Sequence, residues 1–263
     1  MILLPIDMIE ADHAKIDEIE AVIKSIYRLI IYSRHHSDDD LLDTYLGSIQ
    51  NLRQLVGIKN AQMEAQTEDE AKEYLANLQV SLEFVVEEIN SQINFASEVQ
   101  LFQLLRLISP KTNAKHPNRY RDTLVQIGSH VCPDASEVPG LVSELMHRLS
   151  LIQNPIIRAI YLHHELIRIH PFIDGNGRVT RIAKNWLLMF DLYPPIFIND
   201  AVQKKEYIET LGKSFSALSY APNKLNEHTK AFFEQEVSRI LTNAMLLYDS
   251  VKRIGIERLE KSR

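Results

Sequence analysis

Apolar residues recur every three or four positions along most of the chain, the spacing of an amphipathic helix. Between Ala11 and Ser33, the residues Ile16, Ile19, Val22, Ile23, Ile26 and Leu29 mark one such face. Asp38 to Leu55 is a second candidate helix. The stretch "TEDEAKEYLANLQVSLEFVVEEINSQINF" predicts a long third one, opened by Thr67 and Glu70 at capping-box spacing. Glu98 to Ile108 is a shorter helix. The texture then changes at "SPKTNAKHPNRYRDTLVQIGSHVCPDASEVPG", where Pro, Asn and Gly cluster around a β-prone run. Asn118 to Val131 is read as a small hairpin or extended flap. Helices resume at about Glu137. Asn154 followed by Pro155 is a helix start, a side-chain cap before proline in the first turn. That helix is expected to stop near His170, because the residue before Pro171 resists helical geometry. Another runs from around Asn176 to about Phe190, and two more cover about 200–219 and 226–252. The pattern predicts a mainly α-helical protein with one small β-flap.

Composition narrows the class. The chain has 263 residues, 45% hydrophobic and 24% charged, which is ordinary for a globular protein of one large or two small domains. A net charge of −6 gives no general basis for holding nucleic acid. A single cysteine, Cys132, excludes an internal disulfide and suits a reducing compartment; no motif surrounds it, so it is read as structural. The opening "MILLPIDMIEADHAKIDEIE" lacks a basic segment before its apolar run and is not read as a signal peptide. "LIIYS" is too short to cross a membrane. A cytoplasmic protein without membrane or nucleic-acid partners is expected.

Chemistry concentrates in "HPFIDGNGRVTR", at the junction of two predicted helices. Only 8 glycines occur in the chain, and Gly175 and Gly177 stand here with Asn176 between them. Glycines let successive N–H groups converge, and a helix start adds free N–H groups and a positive dipole end. The combination is an anion site. Arg178 and Arg181 lie in the first turns, where the dipole disfavours cations; at i and i+3 they are expected to share a face around a multiply charged anion. The alternative is a plain turn with both arginines paired to acids elsewhere. Asp174 is either a hard oxygen ligand for Mg²⁺ beside phosphates or a cap of the following helix. His170, neutral at pH 7 with an ordinary pKa of about 6.5, could take a proton from an approaching hydroxyl. Phe172 and Ile173 are expected to anchor the loop in the core. His163 and His164 are read as packing or polar contacts, since a catalytic zinc site would need a carboxylate and a third ligand.

The twelve residues from His170 to Arg181 resemble the signature of the Fic family: His, any, Phe, any, Asp or Glu, Gly, Asn, Gly, Arg, two of any, Arg. Every defining position matches. "NRYRDTLVQIG" resembles the family's flap and "YPP" its ending after the motif helix, so the likeness covers about Asn118 to Phe233. It implies a Fic-type helical bundle with a β-hairpin flap and an N-terminal helical region. The expected divisions are residues 1–108 as N-terminal helices, 109–233 as the catalytic core with the flap at 118–131, and 234–263 as a C-terminal helix packed on that core.

The resemblance further implies a protein adenylyltransferase, which moves AMP from ATP to a Ser, Thr or Tyr hydroxyl of a target protein. His170 would be the base and Asp174 would hold Mg²⁺. Gly175, Asn176 and Gly177 would cradle phosphates through backbone N–H groups, helped by the Asn176 side chain. Arg178 would hold the β-phosphate region and Arg181 the γ-phosphate. The flap, at Arg119, Tyr120, Arg121, Thr123, Leu124 and Val125, would dock the target by strand addition. Three alternatives stand beside this. One branch of the family phosphorylates its targets but carries lysine at the position of Gly177. Other members use different donors or remove AMP. A non-enzymatic helical module would require neither His170 nor Asp174. Many members also resemble one another in an inhibitory Ser/Thr-x-x-x-Glu helix that pairs with the second motif arginine, here Arg181. No serine or threonine in this chain has glutamate four residues later. Inhibition is then absent, or another acid supplies it, or a separate inhibitor protein does. The N-terminal helices are assigned to docking, regulation or assembly as a homo-oligomer.

Overall fold

The computed structural model describes residues 1–36, 65–196, 198, 200–222, 224 and 226–261. The helix expected over Asp38–Leu55 lies outside the described residues. Among these residues the order is α1 (His13–His36), α2 (Glu68–Asn90), α3 (Glu98–Ile108), α4 (Pro110–Lys115), β1 (Gln126–Ile127), β2 (His130–Val131), α5 (Val138–Leu151), α6 (Pro155–Ile169), α7 (Asn176–Phe190), α8 (Ala201–Tyr220) and α9 (Glu227–Lys261). The protein is mainly α-helical, as its periodicity predicts. The flap is narrower than the expected span: only Gln126–Ile127 and His130–Val131 pair, antiparallel, around a turn with Gly128 at φ 57. Helix α4 occupies a stretch read as loop.

The helix starts follow their caps. Asn154 Oδ1 accepts from the N–H groups of Ile156 and Ile157, and Pro155 opens α6. Ser97 and Gln100 form a full capping box on α3. At α2, Thr67 accepts from the Glu70 N–H, but the Glu70 carboxylate reaches Gln66 N–H instead of the Thr67 backbone. This is half of the reciprocal arrangement that its spacing suggested.

Helices α6 and α7 form the central pair. Almost every residue of α6 is buried, polar ones included. A helix buried on all sides must satisfy its polar groups internally. Glu165 meets Arg168 at 2.6 Å and His164 at 2.7 Å, and accepts from the Leu4 N–H. Burial alone would raise the Glu165 carboxyl, but those partners outweigh it and hold it at about 2. In α7, Trp186 is fully buried and meets Phe84 and Phe95 edge-on. Burying such a ring contributes about 3 kcal/mol. Helix α9 lies along α1 and α8, and the apolar core is continuous from Leu3 to Val251. Among the described residues, that core draws on all three expected regions, and Phe233 and Glu234 both lie within α9.

Candidate active site

Helix α6 ends at His170, whose backbone is left-handed at φ 52 and ψ 62. The last carbonyls of a helix lack intrahelical donors. Arg121 supplies them: its guanidinium donates to His170 O at 2.8 Å and Ile169 O at 3.3 Å, and also to Thr123 O and Pro133 O. Its backbone N–H donates to Pro171 O at 2.8 Å. Arg121 is 2% exposed. Expected as a docking residue, it is turned inward and ties the base of the flap to the end of α6. Tyr120 packs on Phe102 and Phe172 and donates to Glu98 at 2.6 Å. Burial, with that carboxylate, drives its phenol pKa far upward. Arg119, Thr123 and Leu124 are exposed, and Val125 is half-buried with its carbonyl accepting from the Cys132 N–H. Burial pushes the Cys132 thiol up to about 11, so it is not a thiolate at neutral pH.

The loop after His170 is closed by its own residues. Phe172 is buried and anchors it, whereas Ile173, expected beside it in the core, is 46% exposed. The Asn176 side chain accepts from Phe172 N–H and donates to Phe172 O, both at 2.8 Å. One donor of that amide and one lone pair of its oxygen are taken by the turn. Gly175 stands at φ 83 as the N-cap of α7, and a Cβ there would come within 2.7 Å of Ser109 Oγ. Gly175→Ala is therefore expected to lower stability by about 2 kcal/mol, from left-handed strain plus overlap. Urea unfolding would measure it, and a loss under about 0.5 kcal/mol would show that the loop relaxes freely. At Gly177 an added Cβ would lie 3.3 Å from the Arg181 guanidinium.

A cavity of about 790 Å³ opens beside this junction. His170, Gly177 and Arg181 line one side; Ile127 and Gly128 of the hairpin close another; Leu211 and Phe215 of α8 form an apolar wall. Its size suits a cofactor-sized ligand, and a mostly apolar pocket with a few polar groups is the usual form of such a site. His170 Nδ1 is buried without a well-formed hydrogen bond. Burial pushes the imidazole down to about 4, against the opposing pull of the Ile167 carbonyl and Asp174. It is neutral at pH 7 and able to accept a proton.

Asp174 and Arg178 are not among the residues that line that cavity. They line a more polar cleft of about 470 Å³, together with Thr67, Glu70 and Tyr74 of the N-terminal segment. Arg178 donates to Asp174 Oδ2 at 3.0 Å and to Ile108 O at 3.3 Å, and lies 3.9 Å over the Tyr74 ring. Ser109 and Thr112 also donate to Asp174 Oδ2, at 3.2 and 3.5 Å. Three donors on one oxygen leave Oδ1 without a hydrogen bond among the described residues. A carboxylate fixed on one side and open on the other fits a monodentate magnesium ligand whose remaining shell is phosphate and water.

His163 and His164 pin α6 to α8: His163 Nε2 meets Tyr207 OH at 2.7 Å, and His164 Nε2 meets Ser214 Oγ at 2.8 Å. Sequence reasoning missed this wall. The pocket-lining side chains of α8, the inward turn of Arg121, and the roles of Tyr74 and Ser109 carry no local signal. Gly175 came nearest, since a glycine at a helix cap implies a close neighbour without naming it.

This is a helical fold in which a left-handed histidine, a glycine-bearing helix start and an arginine converge on one cavity. The chain belongs to the Fic/DOC family, whose model matches residues 16–188. It is similar to Protein adenylyltransferase Fic of Culex quinquefasciatus, 29% identical over 171 residues, covering 61% of this chain and 33% of that protein. The chain thus spans about a third of that relative's length. In fold it is similar to a Fic domain-containing signaling protein from Bacteroides thetaiotaomicron, with a TM-score of 0.65 and 21% identity over 88% of this chain and 98% of the other. It is likewise similar to IbpAFic2 in complex with adenylylated Cdc42, with a TM-score of 0.54 and 15% identity over 89% and 71% of the two chains. Among the described residues, no helix is long and apolar enough to cross a membrane.

Proposed function

We propose that this chain transfers AMP from Mg-ATP to a hydroxyl side chain of a target protein. The observation that carries the reading is one cavity shared by His170, Gly177 and Arg181 at the positive end of α7. The triphosphate lies against the N–H groups of Gly175, Asn176 and Gly177, with Arg181 on the γ-phosphate. Base and ribose extend toward the apolar α8 wall. The target adds as a strand beside the flap, where Asp122, Thr123, Leu124 and Val125 have no backbone N–H bond in the described structure. His170 Nε2 takes the hydroxyl proton, the oxygen bonds to the α-phosphorus, and the bond to pyrophosphate breaks. The relatives named adenylyltransferase and the neighbour bound to an adenylylated protein support the same chemistry.

Asp174 Oδ1 would hold the magnesium, which when bound supplies charge neutralisation along the phosphates. The chain's own contribution is positioning and a neutral base. Incubating the protein and candidate targets with each of several Mg-nucleotides, and measuring intact mass, tests this. The expected result is a gain of one AMP from ATP. A gain of phosphate, or of a different nucleotide, would replace the donor or reaction; no gain with any nucleotide would favour a binding module.

A further inference from the structure

Arg178 is a motif residue, yet its side chain, 13% exposed, lines the second cleft and not the cavity of His170. Its partners are the Ile108 carbonyl, the Asp174 carboxylate and the face of Tyr74. Tyr74 is itself fixed, because its hydroxyl donates to Glu70 at 2.5 Å one turn earlier on α2. A guanidinium lying 3.9 Å over a ring held in this way loses part of its freedom. Its N–H is directed at Asp174 Oδ2, joining Ser109 and Thr112 there.

We propose that Tyr74 and Arg178 form a clamp that positions Asp174, so that a residue of the N-terminal helical region sets the affinity of the site for its divalent cation. The inference rests on the reading of Asp174 as the metal ligand. It makes Arg178 a positioning residue acting through the carboxylate instead of a direct phosphate contact. It also gives α2 a part in the site. Outer-shell partners of metal ligands act this way: they leave the ligand set unchanged and reduce the freedom of the ligating oxygen.

Tyr74→Ala isolates the effect, since it changes no charge beside Asp174. The full chain is titrated with Mn²⁺ in the presence of ADP, and free Mn²⁺ is followed by its EPR signal against an ADP-only blank. Metal-free ADP binding is measured separately by calorimetry. Tyr74→Ala is expected to weaken Mn²⁺ about tenfold, the lower end for an outer-shell change, with metal-free ADP affinity within about twofold (the same principle leaves phosphate contacts untouched). Tyr74→Phe keeps the ring over Arg178 and loses only the Glu70 contact, so it should recover part of the Mn²⁺ binding that Tyr74→Ala loses, which a general loss of folding would not produce. Arg178→Gln should follow Tyr74→Ala. If it weakens metal-free ADP as much as Mn²⁺, Arg178 is a phosphate ligand and the clamp is overturned. Asp174→Asn separates the two readings. Loss of Mn²⁺ binding there, with none in Tyr74→Ala, sinks the clamp alone; unchanged binding in Asp174→Asn sinks the metal assignment beneath it.

Discussion

Under the proposed reaction, His170→Ala is expected to lower AMP transfer about 10²–10⁴-fold, the usual share of a positioned general base, while donor binding persists. The backbone around it should survive the change, because His170 is held through its own backbone N–H and carbonyl. His170 N–H donates to Leu166 O at 3.0 Å and its carbonyl accepts from Arg121. The proposed phosphate cradle lies on α7, and the apolar wall lies on α8. Transfer from labelled ATP, measured beside ATP affinity by calorimetry, checks both halves. Undiminished turnover would show that some other group activates the hydroxyl. The pH profile adds an independent signature. Burial holds the imidazole at about 4 in the free protein. A base works only when unprotonated, so activity is full at higher pH and lost as pH falls through that value. The acid limb of kcat/KM should therefore fall near 4 to 5, well below the roughly 6.5 of an ordinary histidine. A limb near 6.5 would mean that His170 is solvated in the working enzyme.

Arg181→Ala should weaken ATP by about 10- to 100-fold and ADP far less, since a charge-assisted contact contributes roughly 1.5–3 kcal/mol and only ATP carries the γ-phosphate. Arg181 lines the same cavity as His170, and the missing side chain at Gly177 leaves room for its guanidinium against the helix start. Calorimetric titration of both nucleotides into wild type and variant decides it. Equal weakening of ATP and ADP would place Arg181 on the α- or β-phosphate, and no weakening would remove it from the phosphate site.

By itself the sequence determined the motif and, apart from α4, the described helices. Periodicity placed α3 and α7 at their observed ends, and the Asn154–Pro155 start and the His170–Pro171 stop fixed α6, because caps and proline geometry act through covalently adjacent residues. The motif's glycines, histidine and acid were legible for the same reason. What faces what was not. Arg178 and Arg181, three residues apart on α7, were expected to share a face around one anion; Tyr74 and Ile108 draw the first away, and the second lines the cavity. Their side chains are long enough to reach either side, so the partner chooses, and those partners lie about 70 to 105 positions away in the chain. Arg121 reads as a surface cation until the unpaired carbonyls of α6 are set beside it. Ile173 reads as core, yet the turn that buries Phe172 leaves its neighbour outside. The wall of the cavity comes from α8, a helix whose own pattern says only that one face is apolar. Local rules decide conformation residue by residue, whereas the contents of a site depend on which distant surfaces the shared core brings together.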